Sequence, residues 1–151
     1  MQEDQLSTHL SSGYKWASNS LVPYLWGEGC CQREFMLLYS GKYDIRRLGF
    51  LDPVSYPEDA DILVVSQVVT SEMVASVKSY FHRMRSPKWL LVLGTNAISG
   101  GLLYGENIFH HWSEITDNLL LLPGTPPTPE QIISALLLLQ QQIRVGVVDG
   151  A

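Results

Sequence analysis

The chain has 151 residues, of which 46% are hydrophobic and 17% charged, and its formal net charge is −5 at pH 7. This length suits one domain with a sizeable buried core, and the acidic balance excludes the basic face that nucleic acid binding requires. Soluble domains carry about a quarter charged residues. The low charged fraction therefore predicts that a partner covers part of the surface.

The first stretch of the chain, residues 1–15, is polar and lacks the apolar segment and small-residue cleavage site of a secretory signal. We expect it to be a mobile leader on a protein that is not secreted. The pair Cys30-Cys31 follows, and these are the only two cysteines in the chain. The pattern after the pair predicts a helix from Cys31 to Tyr39 and a short strand from Tyr43 to Arg47 with its exit at Gly49-Phe50.

Three apolar runs predict strands that are buried on both faces: Asp61 to Ser66, Trp89 to Gly94 and Leu119 to Leu122. Between the first two, residues 71–83 have the apolar spacing of an amphipathic helix, which makes a strand-helix-strand unit. Thr128 and Pro129, an N-cap followed by a proline at the first position, open a helix that runs to about Ile143. No run is long enough to span a bilayer.

These elements predict an α/β fold. We expect a flavodoxin-like layered domain, with a mainly parallel sheet flanked by helices, over residues 16–145, and a tail over residues 146–151. Sites in open parallel sheets form beyond the carboxyl ends of the strands. Three segments follow such ends: Ser66-Gln67, Gly94 to Gly101, and Pro123 to Pro127.

The adjacent thiols of Cys30 and Cys31 need an explanation of their own. A disulfide between neighbours in the chain closes a strained ring, so a structural disulfide is a poor interpretation. Two interpretations stay open on the residues alone. The thiols are either a pair of small buried hydrophobic groups or half of a metal or cluster site.

Taken in order, the motifs resemble those of the small cluster-bearing subunit of respiratory complex I, the 20 kDa or PSST-type subunit, which is related to the small subunits of membrane-bound nickel-iron hydrogenases. The resemblance runs from about Trp16 to Ile143. It is carried by Asn19-Ser20-Leu21 with Pro23-Tyr24, Cys30-Cys31 with Glu34, Tyr43-Asp44 with Arg47 and Gly49, Ala60-Asp61, Thr70 with Met73, Pro87-Lys88-Trp89, Gly94 with Ser99-Gly100-Gly101, and Pro123-Gly124 with Pro126-Pro127.

In the family that this chain resembles, four cysteines hold a 4Fe-4S cluster, the last in the relay to quinone. The resemblance implies that Cys30 and Cys31 are residual cluster ligands, while Asn96 and Thr125 occupy the third and fourth ligand positions. Neutral oxygen ligands bind iron-sulfur centres poorly. We therefore expect no cofactor, with Asn96 and Thr125 hydrogen-bonding across the space instead; the alternative is a 4Fe-4S cluster with non-cysteine or partner ligands, and only then are the two cysteines metal ligands.

The resemblance also implies partners. We expect a peripheral-arm subunit, without a transmembrane segment, on the cytoplasmic side of a membrane or its matrix or stromal equivalent. Its partners would be a larger catalytic-type subunit and other peripheral-arm and membrane-arm subunits, with quinone nearby. The chain would not be catalytic alone, and its role would be structural coupling. The alternatives are an electron-transferring subunit that retains its cluster and a free-standing flavodoxin-like binding module.

Three further features carry expectations. An apolar interface is expected on the face of Cys30 and Gly100, together with five exposed aromatic side chains: Tyr24, Trp26, Tyr104, Phe109 and Trp112. The side chains of His110 and His111 are expected to diverge and, with Glu114, to form a polar surface. Glu34 is a candidate proton relay, although an ion pair with Arg33, Arg46 or Arg47 is the favoured interpretation.

Overall fold

A computed structural model describes residues 18–145 of the protein. The predicted leader and tail, residues 1–15 and 146–151, lie outside this range. Within it, one sheet contains the strands β1 (Pro23–Trp26), β2 (Ile62–Val65), β3 (Trp89–Leu93) and β4 (Leu119–Leu122). Its helices are α1 (Cys30–Leu37), α2 (Val74–Arg83), α3 (Thr95–Ser99) and α4 (Pro129–Val145), and 3-10 turns span Ile45–Leu48, Pro57–Asp59, Gly101–Leu103 and Trp112–Glu114.

All strand pairs in this sheet are parallel, in the order β1-β2-β3-β4. Successive side chains of a strand point to opposite faces, and the core divides accordingly. Val64 and Leu91 pack in one cluster with residues of α1 and α4, while Leu63 and Val92 pack in the other with residues of α2. Helices thus cover both faces, and the predicted layered α/β fold with a parallel sheet is confirmed.

The start of α4 shows how the sequence sets a helix boundary. The Thr128 hydroxyl accepts a hydrogen bond from the Gln131 amide at 3.3 Å, and the Gln131 side chain accepts one from the Thr128 amide at 2.9 Å. This reciprocal cap satisfies amides that have no partner within the helix. The predicted start is confirmed, and within the described residues the helix extends to Val145, two residues beyond the prediction.

Three sequence-based expectations differ from the structure. The strand β4 is not buried on both faces as expected: it lies at the edge of the sheet, and Leu121 is exposed. The strand β1 was not predicted, because four residues that include a proline at an edge carry little signal; pairing with β2 makes the segment extended. The strand expected over Tyr43 to Arg47 is wrong. Asp44 adopts a left-handed conformation with φ of 41°, and the chain then forms a 3-10 turn.

Candidate functional site

The two thiols lie at the carboxyl edge of the sheet, where α1 begins. Cys30 is the first residue of α1 and is exposed, whereas Cys31 is 5% exposed and belongs to the core cluster of Phe35. Their Sγ atoms are 4.0 Å apart and no disulfide joins them. The pair therefore has one sulfur fixed in the core and one at the surface.

Gly94, the residue after β3, makes room for the buried thiol. Its φ is +96°, a conformation that favours glycine, and a Cβ at this position would overlap the Sγ of Cys31. The Gly94 amide donates a hydrogen bond to the carbonyl of Leu122 at 2.8 Å. Cys31 thus contacts the end of β3 at the point where that end is bonded to β4.

The loops that follow β3 and β4 are joined by Thr95. Its amide donates to the carbonyl of Gly124 at 2.9 Å, and its hydroxyl accepts from the Gly124 amide at 3.1 Å. Sequence reasoning did not identify Thr95. The signal available was a hydroxyl directly after the strand-ending glycine, a type of residue that often bonds to nearby backbone groups.

Asn96 and Thr125, where the family resemblance implies two further cluster ligands, are both exposed and follow the two residues joined by this contact. The Oδ1 atom of Asn96 lies against Gly101, where a Cβ would overlap it. Neither side chain makes a hydrogen bond within the described range. The expectation that Asn96 and Thr125 bond across the space is therefore wrong, because Thr95, one residue earlier, already joins the loops.

The donors that Cys30, Cys31, Asn96 and Thr125 offer do not fit a 4Fe-4S cluster. Such a cluster takes thiolates, and this chain offers two thiols, a carboxamide turned toward Gly101 and a hydroxyl. Across residues 18–145 no group of three or more His, Cys, Asp or Glu is arranged to hold a metal ion. Burial raises the pKa of Cys31 to about 11, with further contributions from Cys30 and Glu34, so its sulfur is protonated at neutral pH.

Two buried oxygens at this edge lack hydrogen-bond partners among the described residues. They are the Oε1 of Gln32, the residue after Cys31, and the Oγ of Ser66, the residue after β2. Ser66 is 6% exposed, and its Oγ would lie 2.9 Å from a Cβ placed on Gly27. Buried polar atoms are usually bonded, so these two mark the edge as a place of unsatisfied polarity.

The expected ion pair of Glu34 with an arginine is wrong. Arg46 binds Asp52, with Nε to Oδ1 at 3.0 Å, and Arg47 binds Asp44 at 2.8 Å. Both arginines have nearer carboxylates on their own segment. Glu34 makes no ion pair with any described residue, and its carboxylate acts on Cys31 through space.

The histidine pair also differs from expectation. The rings of His110 and His111 do not diverge: their centroids are 4.1 Å apart and their planes are tilted by 39°. The Nδ1 of His110 lies 3.1 Å from the carbonyl of Ile108, to which it donates. Glu114 pairs with Lys78 at 3.9 Å, so the acidic residue does not join the histidines.

The exposed apolar surface was predicted only in part. Phe109 and Trp112 are 8% and 2% exposed, and the Trp112 indole donates to the Ile98 carbonyl at 3.0 Å. Their expected exposure is wrong, because they cover the α2 face of the sheet. Of the other three aromatic residues, Tyr24 and Trp26 are half-buried and Tyr104 is exposed as expected. Among the exposed apolar side chains, Leu102 to Tyr104 form a continuous segment directly after Gly101, and Met36 and Leu37 on α1 are exposed as well.

The helices within residues 18–145 do not include one with the length and apolar character that crossing a bilayer requires.

The structure is a layered α/β domain whose parallel sheet carries a pair of adjacent thiols beside Gly94, at the carboxyl edge where sites in open sheets form. A sequence model of the family described as "NADH ubiquinone oxidoreductase, 20 Kd subunit" matches residues 29–139. The chain belongs to this family.

Individual proteins agree with the family match. The chain is 36% identical to a B-type subunit of the NADH-quinone oxidoreductase of Symbiobacterium thermophilum, covering 92% of this chain and 85% of that protein. It is 32% identical to the corresponding B-type subunit of Citrifermentans bemidjiense, covering 93% and 83%. A chain in the membrane-bound sulfane sulfur reductase, an archaeal respiratory membrane complex, shares the fold with a TM-score of 0.79 at 22% identity, covering 93% of this chain and 79% of that chain.

Proposed function

We propose that the protein is a peripheral subunit of a complex I-like or energy-converting-hydrogenase-like membrane complex in which the 4Fe-4S cluster has been lost. Its role is then structural coupling at the junction between the peripheral and membrane arms. The relatives named as subunits of NADH-quinone oxidoreductase support the type of complex. The donor set at Cys30, Cys31, Asn96 and Thr125 supports the loss of the cluster.

The observation that carries this proposal is the contact between Thr95 and Gly124. In a cluster-bearing protein, metal-thiolate bonds join the loops that follow neighbouring strands. Here two backbone-directed hydrogen bonds, at 2.9 and 3.1 Å, join those loops without thiolates. The loops after β3 and β4 are therefore held together by hydrogen bonds of the protein and do not depend on a cluster.

The exposed apolar segment supports the expected partner. Leu102 is fully exposed, and Leu103 and Tyr104 are 65% and 68% exposed. The segment is held by Gly100 and Gly101, whose φ angles are +84° and +56°. Three adjacent apolar side chains on a constrained turn suit an interface, and we assign them to the larger catalytic-type subunit.

On this proposal the complex stands at the cytoplasmic surface of the membrane, or its matrix or stromal equivalent, with quinone near the junction. Electrons, where the complex moves them, reach their acceptor by a route that avoids this subunit.

The experiment is anaerobic co-purification of the chain with the subunits encoded beside it. We expect partner subunits to be recovered, with no acid-labile sulfide attributable to this chain. Leu102→Asp together with Leu103→Asp should reduce recovery of the partner at least about tenfold. The matched control is Tyr56→Asp, which replaces another exposed hydrophobic side chain by a charged one outside the proposed interface. Equal recovery with both variants, or a wild-type chain that is purified alone, would contradict the assigned interface.

A further inference from the structure

The separation of the two thiol sulfurs allows both of them to bind the same ion. The Sγ atoms of Cys30 and Cys31 are 4.0 Å apart. First-row metal ions bind thiolate sulfur at about 2.3 Å, so two sulfurs on one ion lie at most about 4.6 Å apart. The observed separation falls within that limit. In a cubane, by contrast, each cysteine binds a different iron.

We propose that Cys30 and Cys31 bind one soft monovalent cation, of which copper(I) is the biological example, through two thiolate bonds. Cys31 supplies a sulfur whose position is fixed against Gly94, and exposed Cys30 supplies the sulfur through which the ion enters. Each thiol gives up its proton when it binds the ion.

The number of available ligands determines which metal ion the two thiols can bind. Zinc in structural sites takes four ligands, and within residues 18–145 no third His, Cys, Asp or Glu joins the thiols in a metal-binding group. The oxygen of Asn96 faces Gly101, and amide oxygen is a hard donor in any case. Soft thiolate ligands suit copper(I), zinc and iron-sulfur centres. Zinc and the cluster each need four ligands, whereas copper(I) can be held by two, so the pair suits copper(I).

This inference rests on the proposed absence of the cluster, since a cubane would occupy the same sulfurs. The test therefore begins with iron and acid-labile sulfide in the full-length chain, purified anaerobically in a reductant that is not a thiol. Copper(I) is then added in competition with bicinchoninate. We expect one copper(I) per chain, and X-ray absorption at the copper edge should show two sulfur neighbours.

Variants separate the pair from adventitious sites. Cys30→Ser, at an exposed position that the core does not depend on, should weaken copper(I) binding at least about 100-fold, and Cys31→Ser should do the same. The control is His110→Ala with His111→Ala, which removes two adjacent exposed imidazoles and should leave the affinity unchanged. Copper(I) binding that survives Cys30→Ser, or that is lost in the histidine variant, would overturn the site.

The two proposals fail in different ways. Stoichiometric iron and sulfide in the purified chain would overturn the proposed function together with this site. If the protein contains no iron and does not take copper(I) from bicinchoninate, the copper site alone is overturned.

Discussion

Thr95 and Gly124 form a reciprocal pair of hydrogen bonds, amide to carbonyl at 2.9 Å and amide to hydroxyl at 3.1 Å, between the loops that follow β3 and β4. These loops carry Asn96 and Thr125, the positions where the family resemblance implies two further cluster cysteines. Thr95, which joins the two loops, is thus the neighbour of a position where the resemblance implies a cluster cysteine. The contact holds the two loops in place without any iron.

The first prediction concerns that contact. Thr95→Val keeps the shape of the side chain but removes the oxygen that accepts from the Gly124 amide. We expect the free energy of unfolding, measured with urea, to fall by about 1 to 2 kcal/mol, because a half-buried amide loses its partner. Asn96→Ala and Thr125→Ala should change it by less than about 0.5 kcal/mol, because neither side chain is hydrogen-bonded in the described range. An Asn96→Ala variant as unstable as Thr95→Val would contradict the assignment.

The second prediction concerns the space that Gly94 leaves for Cys31. Gly94→Ala introduces a Cβ at a φ of +96° and against the Cys31 sulfur, whereas Gly29→Ala introduces one at +105° with no atom within 4 Å. We expect Gly29→Ala to lower the free energy of unfolding by about 1 kcal/mol from backbone strain alone. Gly94→Ala should cost about 1 to 2 kcal/mol more because of the overlap.

A double-mutant cycle tests the cause of that difference. In a Cys31→Ala background the extra cost of Gly94→Ala should largely disappear, because the overlapping sulfur is gone. An extra cost that persists without the sulfur would place the strain elsewhere.

The third prediction concerns Gln140, a polar residue of α4 that is 3% exposed. Its Nε2 donates to the carbonyls of Ser18 and Leu48 at 2.8 and 2.6 Å, which fixes the entry to β1 and the 3-10 turn against α4. Gln140→Met should lower the free energy of unfolding by about 2 to 4 kcal/mol, since two carbonyls lose a donor. Gln141→Met, at an exposed position of the same helix, is the control and should have little effect. Equal losses in the two variants would contradict this role.

The fourth prediction concerns pH. Burial raises the pKa of Asp61 to about 6, and the hydrogen bond from the Val22 amide, at 3.2 Å, opposes this only in part. The unfolded chain titrates Asp near 3.9, so between about pH 4 and 6 the native state binds more protons than the unfolded state. The contribution of Asp61 to stability therefore falls as pH rises through this window.

Asp61→Asn retains a hydrogen-bond acceptor and removes the titration. We expect this variant to be more stable than the wild type at pH 7.5 and to lose that advantage toward pH 4, as measured by urea unfolding at each pH. Glu58, Asp59 and Arg85 line the same cavity and remain in both proteins, so their contribution cancels in the comparison. A difference that is constant from pH 4 to 7.5 would contradict the raised pKa.

The sequence predicted those parts of the fold that depend on local signals. Leu119 to Leu122 is apolar and bounded by Pro123, so its limits could be predicted to the residue. Thr128 and Pro129 marked the start of α4 for a similar reason. The edge strand β1 depends on pairing with β2, and the turn at Ile45–Leu48 depends on the left-handed Asp44; neither has a strong local pattern.

The candidate site was predicted in composition but not in its contacts. The adjacent thiols are visible in the sequence, and the resemblance implies the two further ligand positions at Asn96 and Thr125. The role of Thr95 was not, because it depends on how near the ends of β3 and β4 lie, which the sheet sets. Trp112 was placed on the surface for the same reason: its indole is satisfied by the Ile98 carbonyl, a contact fourteen positions away.

The central claim is that the ligand set, and not the frame of the site, is what prevents a cluster from forming. Anaerobic reconstitution with iron and sulfide, followed by quantification of both per chain, tests it most directly on the wild type, Asn96→Cys, Thr125→Cys and the double variant. We predict about four irons and four sulfides only in the double variant, and labile partial binding in the single variants. A wild-type chain that takes up a stable cluster of about four irons and four sulfides would contradict the claim.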